Sequence, residues 1–369
     1  MIVSIIIFLL VLSILVLVHE LGHFIVARRA GVKVEEFGFG IPPRIVGKKI
    51  GETIYSINAL PFGGFVRLHG ENDEGGITHL KRAFLNKSKK ARALIVVAGV
   101  IMNFILAIVT FAIVYSFSGI PRDTGKLKVI DVTAGSPAQV AGVVVGDIVT
   151  KVGKDSITSS DDFISKTSFL KGKKTAFEIQ RNDATIKVNL TPRENPPAGE
   201  GPIGVTITTM EIYFPPVWQR PFYGVYYGFK DALFWGQTIV LGLWGLFAGL
   251  LKGQAPQGVS GPVGIFAVTT EAAKSGILTL INFVGILSVN LAILNILPFP
   301  ALDGGRLLFI GIESVTGRRV SPKIEGAIHN IGMIILLTLL LVITIGDVRR
   351  LITFGGIQGF INSIGNGVK

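Results

Sequence analysis

Residues 19–23 read His19-Glu20-Leu21-Gly22-His23. On an α-helix, positions i and i+4 share a face. Two imidazoles so placed can grip one zinc ion, and the adjacent carboxylate can reach a water on the metal. Zinc lowers the pKa of such a water to about 7, and a glutamate suits the proton-acceptor role. The five-residue pattern alone is a modest signal, but its setting sharpens it. Residues 2–18 are apolar except for Ser4 and Ser13, and the run continues to Ala27 before Arg28 and Arg29. An ionisable group at the centre of a span costs about 2.5–3.5 kcal/mol even on lenient insertion scales. Groups that expensive are kept where they act; the alternative is a polar cluster that holds helices together.

A catalytic zinc takes three protein ligands and leaves a position for water. The third candidate is Asp303, in Asn295-Ile-Leu-Pro298-Phe-Pro300-Ala-Leu-Asp303-Gly304-Gly305. It is expected at the end of an apolar helix that two prolines must break. From spacing alone an ordinary turn aspartate is an equal reading, because Asp-Gly is a common turn pair. The chain has no cysteine, which excludes disulfides, thiol nucleophiles and Cys-based metal sites. His69 and His79 fall in polar loops and are expected to be solvated. His329 precedes the last apolar run and is expected to hydrogen-bond at the membrane interface.

The elements that must position these groups are mostly apolar. Of 369 residues, 49% are hydrophobic and 16% charged, against about 25% charged in soluble domains. Mean hydropathy is +0.59. The formal charge is +12, and many basic residues, including Lys48, Lys49, Lys81, Arg82, Lys87, Lys89 and Lys90, cluster between the first two apolar runs. That distribution marks the cytoplasmic flank of membrane spans and argues against a nucleic-acid surface. The N-terminal run lacks the basic start and small-residue cleavage site of a signal peptide. Residues 92–117, 276–302 and about 322–345 are further span candidates, and residues 222–251 are also apolar and helical. Residues 55–60 and 64–68 look like strands joined by the turn Pro61-Phe62-Gly63. From 125 to 209, Val and Ile alternate with polar residues between turn signals such as Gly135-Ser136-Pro137, the pattern of a soluble β-rich domain.

HExxH in a first span, with Asn295-x-x-Pro298-x-Pro300-x-Leu302-Asp303-Gly304 in a later one, resembles the site-2 protease family of intramembrane zinc metalloproteases. The bacterial branch typified by the regulator of sigma-E protease is the nearest pattern, and the resemblance covers nearly the whole chain. The hairpin at 55–68 resembles that branch's membrane-associated β-hairpin. Gly258-Val-Ser-Gly-Pro-Val-Gly264 resembles its loop before the third span, and Ser288-Val-Asn290-Leu-Ala-Ile-Leu-Asn295 its substrate-contacting stretch. One departure is Ala98-Gly99-Val100-Ile101-Met102-Asn103, where many members have proline after the glycine. Gly135-Ser-Pro-Ala-Gln-Val-Ala-Gly142-Val-Val-Val-Gly146-Asp147-Ile148-Val149 resembles a PDZ domain of the permuted bacterial type, with Gly204 and Val205 in its peptide-carboxylate loop.

The resemblance implies a polytopic α-helical membrane protein with four transmembrane helices, a membrane-associated β-hairpin and one inserted extracytoplasmic PDZ domain. It implies an N-terminal membrane region at 1–124, the PDZ domain at 125–209, a membrane-associated amphipathic helix and loop at 210–275, and a C-terminal membrane region at 276–369. His19, His23 and Asp303 would hold Zn2+, Glu20 would be catalytic, and Asn290 and Asn295 would hold the substrate backbone. Expected partners are single-pass transmembrane substrates, such as trimmed anti-sigma factors or signal-peptide remnants, and membrane lipids, with no nucleic acid. The expected location is the bacterial cytoplasmic membrane. The PDZ domain either binds peptide termini or acts as a lid. Residues 232–251 are expected to lie along the outer membrane face without crossing, since the span ending near Asp303 must run inward to bring it to the histidines. A PDZ-bearing scaffold without catalysis is disfavoured because the whole ligand set is intact. A zincin facing the aqueous phase is disfavoured because HExxH lies inside the first span.

Overall fold

A computed structural model describes residues 2–71, 78–253 and 260–360. Residues 254–259 of the loop before the third expected span lie outside the described residues. The chain forms two compact units, Met1–Phe117 with Trp218–Lys369, and Ser118–Val217.

The first unit starts with α1 (Ile2–Arg29). Its buried positions Val11, Leu15, His19, His23 and Ala27 recur every four residues, so one stripe faces protein. Ile2, Ile6 and Leu10 are exposed, as lipid-facing side chains of a spanning helix would be. Arg28 and Arg29 occupy the last turn, and Gly31 follows at φ +69°, a left-handed position that suits glycine after a helix.

Next come β1 (Val34–Ile50) and β2 (Thr53–Leu68), paired antiparallel. The pairing differs from the expected hairpin. Phe37 is opposite both Tyr55 and Val66, and Gly38 opposite both Ser56 and Phe65. Segments 55–60 and 64–68 therefore flank β1 on either side instead of pairing with each other. The sequence reading missed β1 because Glu35, Glu36 and five glycine or proline residues obscure its alternation. His69 is also not solvated. It is buried, with Nδ1 2.7 Å from Glu35 Oε1 and Nε2 accepting from the backbone N–H of His79.

α2 (Lys89–Ser118) follows. After the second unit come α5 (Arg220–Leu251), α6 (Pro262–Lys274), α7 (Ile277–Ile296), α8 (Asp303–Thr316) and α9 (Pro322–Thr353). Among the described residues, α1, α2, α7, α9 and Arg220–Gly249 of α5 are long and apolar enough to cross a membrane. α7 runs antiparallel to α2: Gly285 abuts Thr110 and Phe111, and Ser288 Oγ donates to Asn103 O at 2.8 Å.

α5 also runs antiparallel to α2. Ser116 Oγ donates to Arg220 O, Gly224 lies against Ala112, Gly228 against Ile108, and Phe229 against Phe104. The first half of α5 thus runs alongside α2. Gly224, Gly228, Ala232 and Gly236 recur every four residues, a smooth stripe that lets helix backbones approach in lipid. Ala232 packs with Ala107, Phe111 and Val289.

The second unit is built on one antiparallel β-sheet. Its sheet has the order β7-β6-β4-β3-β8, with β5 beside β4. The strands are β3 (Ile120–Val132), β4 (Ile148–Val152), β5 (Asp155–Ser156), β6 (Thr175–Arg181), β7 (Ala184–Leu190) and β8 (Val205–Tyr213). Helices α3 (Pro137–Val140) and α4 (Ser160–Phe169) complete it. Alternate residues Val129, Val149, Phe177, Ile179 and Val188 fill one core, each stabilising it by about 1.5–3 kcal/mol when fully buried. Asp147 is buried under the bidentate Arg181 guanidinium and accepts from Val144 N. Burial pushes its carboxyl upward, but these hydrogen bonds outweigh it and hold it below the usual range.

Candidate metal centre

α1 places His19 and His23 one turn apart, both buried. Their Nε2 atoms are 3.1 Å apart. Asp303 Oδ2 lies 3.0 Å from His19 Nε2 and 3.2 Å from His23 Nε2. Among the described residues these three form the group of His and acidic side chains whose ligand atoms could share one ion. Asp303 does not end the span as expected: α7 stops at Ile296, and Asp303 opens α8 after a turn at 297–302. Pro298 and Pro300 lack the N–H groups needed to carry the helix through.

The donor chemistry fits a cation. His23 Nδ1 donates to Ile95 O at 2.8 Å, so Nε2 of the neutral ring is a bare lone pair. His19 Nδ1 is 3.3 Å from the Asn103 carboxamide, whose oxygen is buried without another partner. Turned to the ring, that oxygen accepts from Nδ1–H and frees the second Nε2. Asp303 Oδ2 is likewise buried without a hydrogen bond. Two ring nitrogens and a carboxylate oxygen converging at this distance repel one another unless a proton or a metal cation sits among them, and three such atoms offer one ion a shared point. Zinc bonds of about 2.0–2.1 Å in tetrahedral array put ligand atoms about 3.3 Å apart, close to the spacing found. The site fits zinc.

α2 supplies the floor. A Cβ on Gly99 would come within 2.7 Å of His19 Cε1 and nearer still to His23 Nε2, and one on Gly22 would run into the backbone of Ala98. Gly99→Ala should therefore push both rings off their common point, and metal sites tolerate only about 0.5 Å of error. At least tenfold weaker zinc binding is expected, read by chelator competition; unchanged affinity would mean the rings have room to spare. Sequence reading missed both Gly99 and Asn103 as supports. The small residue at Gly99 and the amide four positions later were visible, but only the helix crossing turns them toward the histidines.

Glu20 Oε2 accepts from the backbone N–H of Val66 at 3.0 Å, so segment 64–68 reaches the site. α8 is tied to α2 by a buried ion pair, Arg92 Nη2 to Glu313 Oε2 at 2.6 Å, and Lys89 Nζ donates to Glu313 O. Breaking such a pair from one side costs about 3–5 kcal/mol. A cavity of about 740 Å³ is lined by Glu20, His23, Val66, Asp303, Arg306 and His329, among others.

The structure thus brings Glu20, His19, His23 and Asp303 into one region. Asn290 and Asn295 lie on α7, half-buried, five positions and so about 140° apart around the helix. In the second unit, Gly204 sits at φ +73° and donates its N–H to Gly201 O, and Val205 begins β8 opposite Val132. The Gly204 amide is engaged within its own turn.

Residues 7–339 match the model of peptidase family M50. A candidate zinc metalloprotease of Clostridium acetobutylicum is 37% identical over 354 residues, covering 95% of this chain and 99% of the relative. The zinc metalloprotease RasP of Geobacillus kaustophilus is 31% identical over 423 residues, covering 94% and 98%. A solved PDZ domain of an SdrC-like protein from Listeria monocytogenes matches 22% of this chain and 86% of its own at 22% identity, with a TM-score of 0.21.

Proposed function

Because the chain belongs to peptidase family M50, the site-2 protease family of zinc metalloproteases, we propose that it cuts the transmembrane segments of single-pass membrane proteins. Trimmed anti-sigma factors and signal-peptide remnants are the substrate classes in view. The observation that carries this reading is the convergence of His19, His23 and Asp303 within 4.8 Å, two of them on a helix apolar enough to span a membrane.

Zinc supplies Lewis acidity that activates water and polarises the scissile carbonyl. His19, His23 and Asp303 would hold the ion, with Asn103 and the Ile95 carbonyl orienting the rings. Glu20 takes the proton of the attacking water and passes it to the leaving amine. A helical substrate hides its peptide groups in its own hydrogen bonds, so it must unwind before attack. Segment 64–68, at one edge of the β1–β2 sheet, and the carboxamides of Asn290 and Asn295 are suited to pair with the freed backbone. Irregular backbone at membrane depth is tolerated when enclosed by protein. For the PDZ-like unit, the engaged Gly204 amide favours filtering of bulky substrates over capture of a carboxylate there.

The protein is a multi-pass membrane protein. We place the basic residues between α1 and α2, with Arg318, Arg319 and Lys323, on the cytoplasmic side of the bacterial inner membrane, and the PDZ-like unit outside. α1, α2, α7 and α9 are the crossing helices in this reading, and α5 enters beside α2 from the outer side. Two readouts test it together. Incubation with a single-pass substrate in detergent and zinc should yield fragments whose new ends map inside the apolar segment; cuts confined to flanking loops would reject the intramembrane reading. In this cysteine-free chain, a cysteine replacing Lys154 should react with an impermeant thiol reagent in intact cells, and one replacing Lys323 should not. The reverse pattern would overturn the orientation.

A further inference from the structure

The residue that brings Asp303 to the histidines is held by a helix that contributes no proposed ligand. Between Ile296 and Asp303 the chain turns sharply. Pro298 and Pro300 have no N–H, so only Phe299 and Ala301 can donate within residues 298–301. Phe299 N–H donates to Leu297 O at 2.7 Å. Ala301 N–H donates to His329 Nδ1 at 2.9 Å. Ala301 itself sits at φ +78°, a region that residues with a Cβ rarely occupy and that persists only where the surroundings hold it.

α9 holds this turn at a second point. Gly332 lies three residues beyond His329 and so on the same helix face. A Cβ on Gly332 would come within 2.7 Å of both Pro300 C and Pro300 O, so the bare backbone of α9 lies against the turn. His329 also lines the cavity that contains Asp303, Glu20 and His23.

We propose that His329 is a positioning residue for the metal centre: as acceptor for the Ala301 amide, with Gly332 packed on Pro300, it locks the left-handed turn that sets the place of the Asp303 carboxylate. The proposal rests on the reading of Asp303 as a zinc ligand. Nδ1 must stay unprotonated to accept, so the neutral ring carries its hydrogen on Nε2. Without that acceptor Ala301 relaxes toward negative φ. A backbone rotation two residues before Asp303 then moves the carboxylate by more than the roughly 0.5 Å a preorganised site tolerates.

The test uses purified full-length protein in detergent, with zinc affinity measured by chelator competition alongside cleavage of a single-pass substrate. His329→Leu should bind zinc about 10- to 100-fold more weakly, the range for loss of an outer-shell partner, with kcat/KM falling in parallel. His329→Gln keeps an acceptor oxygen and should recover most of the affinity. Ala301→Gly frees the positive φ, so adding His329→Leu to it should cost less than threefold. Wild-type affinity in His329→Leu would overturn the proposal. So would an equal loss with and without Ala301→Gly and no rescue by glutamine, which is the mark of general packing damage. Asp303→Ala separates the two levels. If it keeps its zinc, the ligand reading itself fails; if it loses zinc while His329→Leu does not, only the positioning role fails.

Discussion

Glu20→Gln is expected to bind zinc like the wild type and to lose cleavage by roughly 10²–10⁴-fold, the usual contribution of general acid–base help. The two side chains have the same shape, and the glutamine oxygen can still accept from the Val66 N–H that Glu20 engages at 3.0 Å. The contacts of segment 64–68 should therefore survive. What changes is the loss of a carboxylate able to take a proton and return it to the leaving amine. Neither His19 nor His23 can substitute, because each has one ring nitrogen committed to a second partner and the other aimed at Asp303. Metal content by mass spectrometry and turnover of a single-pass substrate, measured on the same preparation, decide the matter. Wild-type turnover would remove Glu20 from the mechanism. Lost zinc together with lost turnover would make it a structural support of the metal site.

Asp303→Ala should lose both zinc and activity, and by more than the 10–100-fold that outer-shell changes produce, since it removes one of three ligands and the anionic one. Its response to zinc is the sharper test. Without zinc, Asp303 Oδ2 lies 3.0 and 3.2 Å from the two imidazole nitrogens, close enough for a proton on either ring to bridge them, so the comparison is made on the zinc-dependent change alone. Wild type should be stabilised by zinc, by about 2.7 kcal/mol at a free zinc concentration of 100 Kd, and the variant should not. Thermal unfolding in detergent with zinc and with chelator reads both effects. A zinc-dependent rise in Asp303→Ala equal to that of wild type would exclude Asp303 from the ligand set. Asp303→Glu should fall between the two, because one extra methylene moves the carboxylate beyond the tolerance of the site.

The sequence carried the chemistry and most of the membrane plan. His19 and His23 share a face because helical geometry puts i and i+4 together, and that needs no tertiary information. Long apolar runs announce helices because lipid leaves the backbone no other partner. The two prolines before Asp303 foretold a break, and the Gly142–Gly146–Asp147 turn foretold the start of β4. The stripe Gly224, Gly228, Ala232 and Gly236 went unread, because hydropathy marks an apolar helix without saying which of its faces meets another helix.

Tertiary structure decided everything that depends on which surfaces meet. Whether Asp303 is a ligand or a turn residue was even from spacing, because 280 residues separate it from His23 and nothing local fixes that distance. In the structure Asp303 Oδ2 lies 3.0 and 3.2 Å from the two Nε2 atoms, on a helix tied to α2 by the Arg92–Glu313 ion pair. The supports of the histidines, Asn103, Gly99 and the Ile95 carbonyl, gain their roles only from the crossing of α1 and α2. A backbone oxygen has no sequence signature, and a glycine shows why it is small only when its neighbour is known. The β1–β2 register eluded the sequence for the same reason. Strand pairing is a contact between segments, and here the central segment is richer in glycine, proline and charge than its two partners. Local periodicity determines what an element is; the mutual fit of distant elements determines what it touches, and the candidate metal centre is built from such contacts.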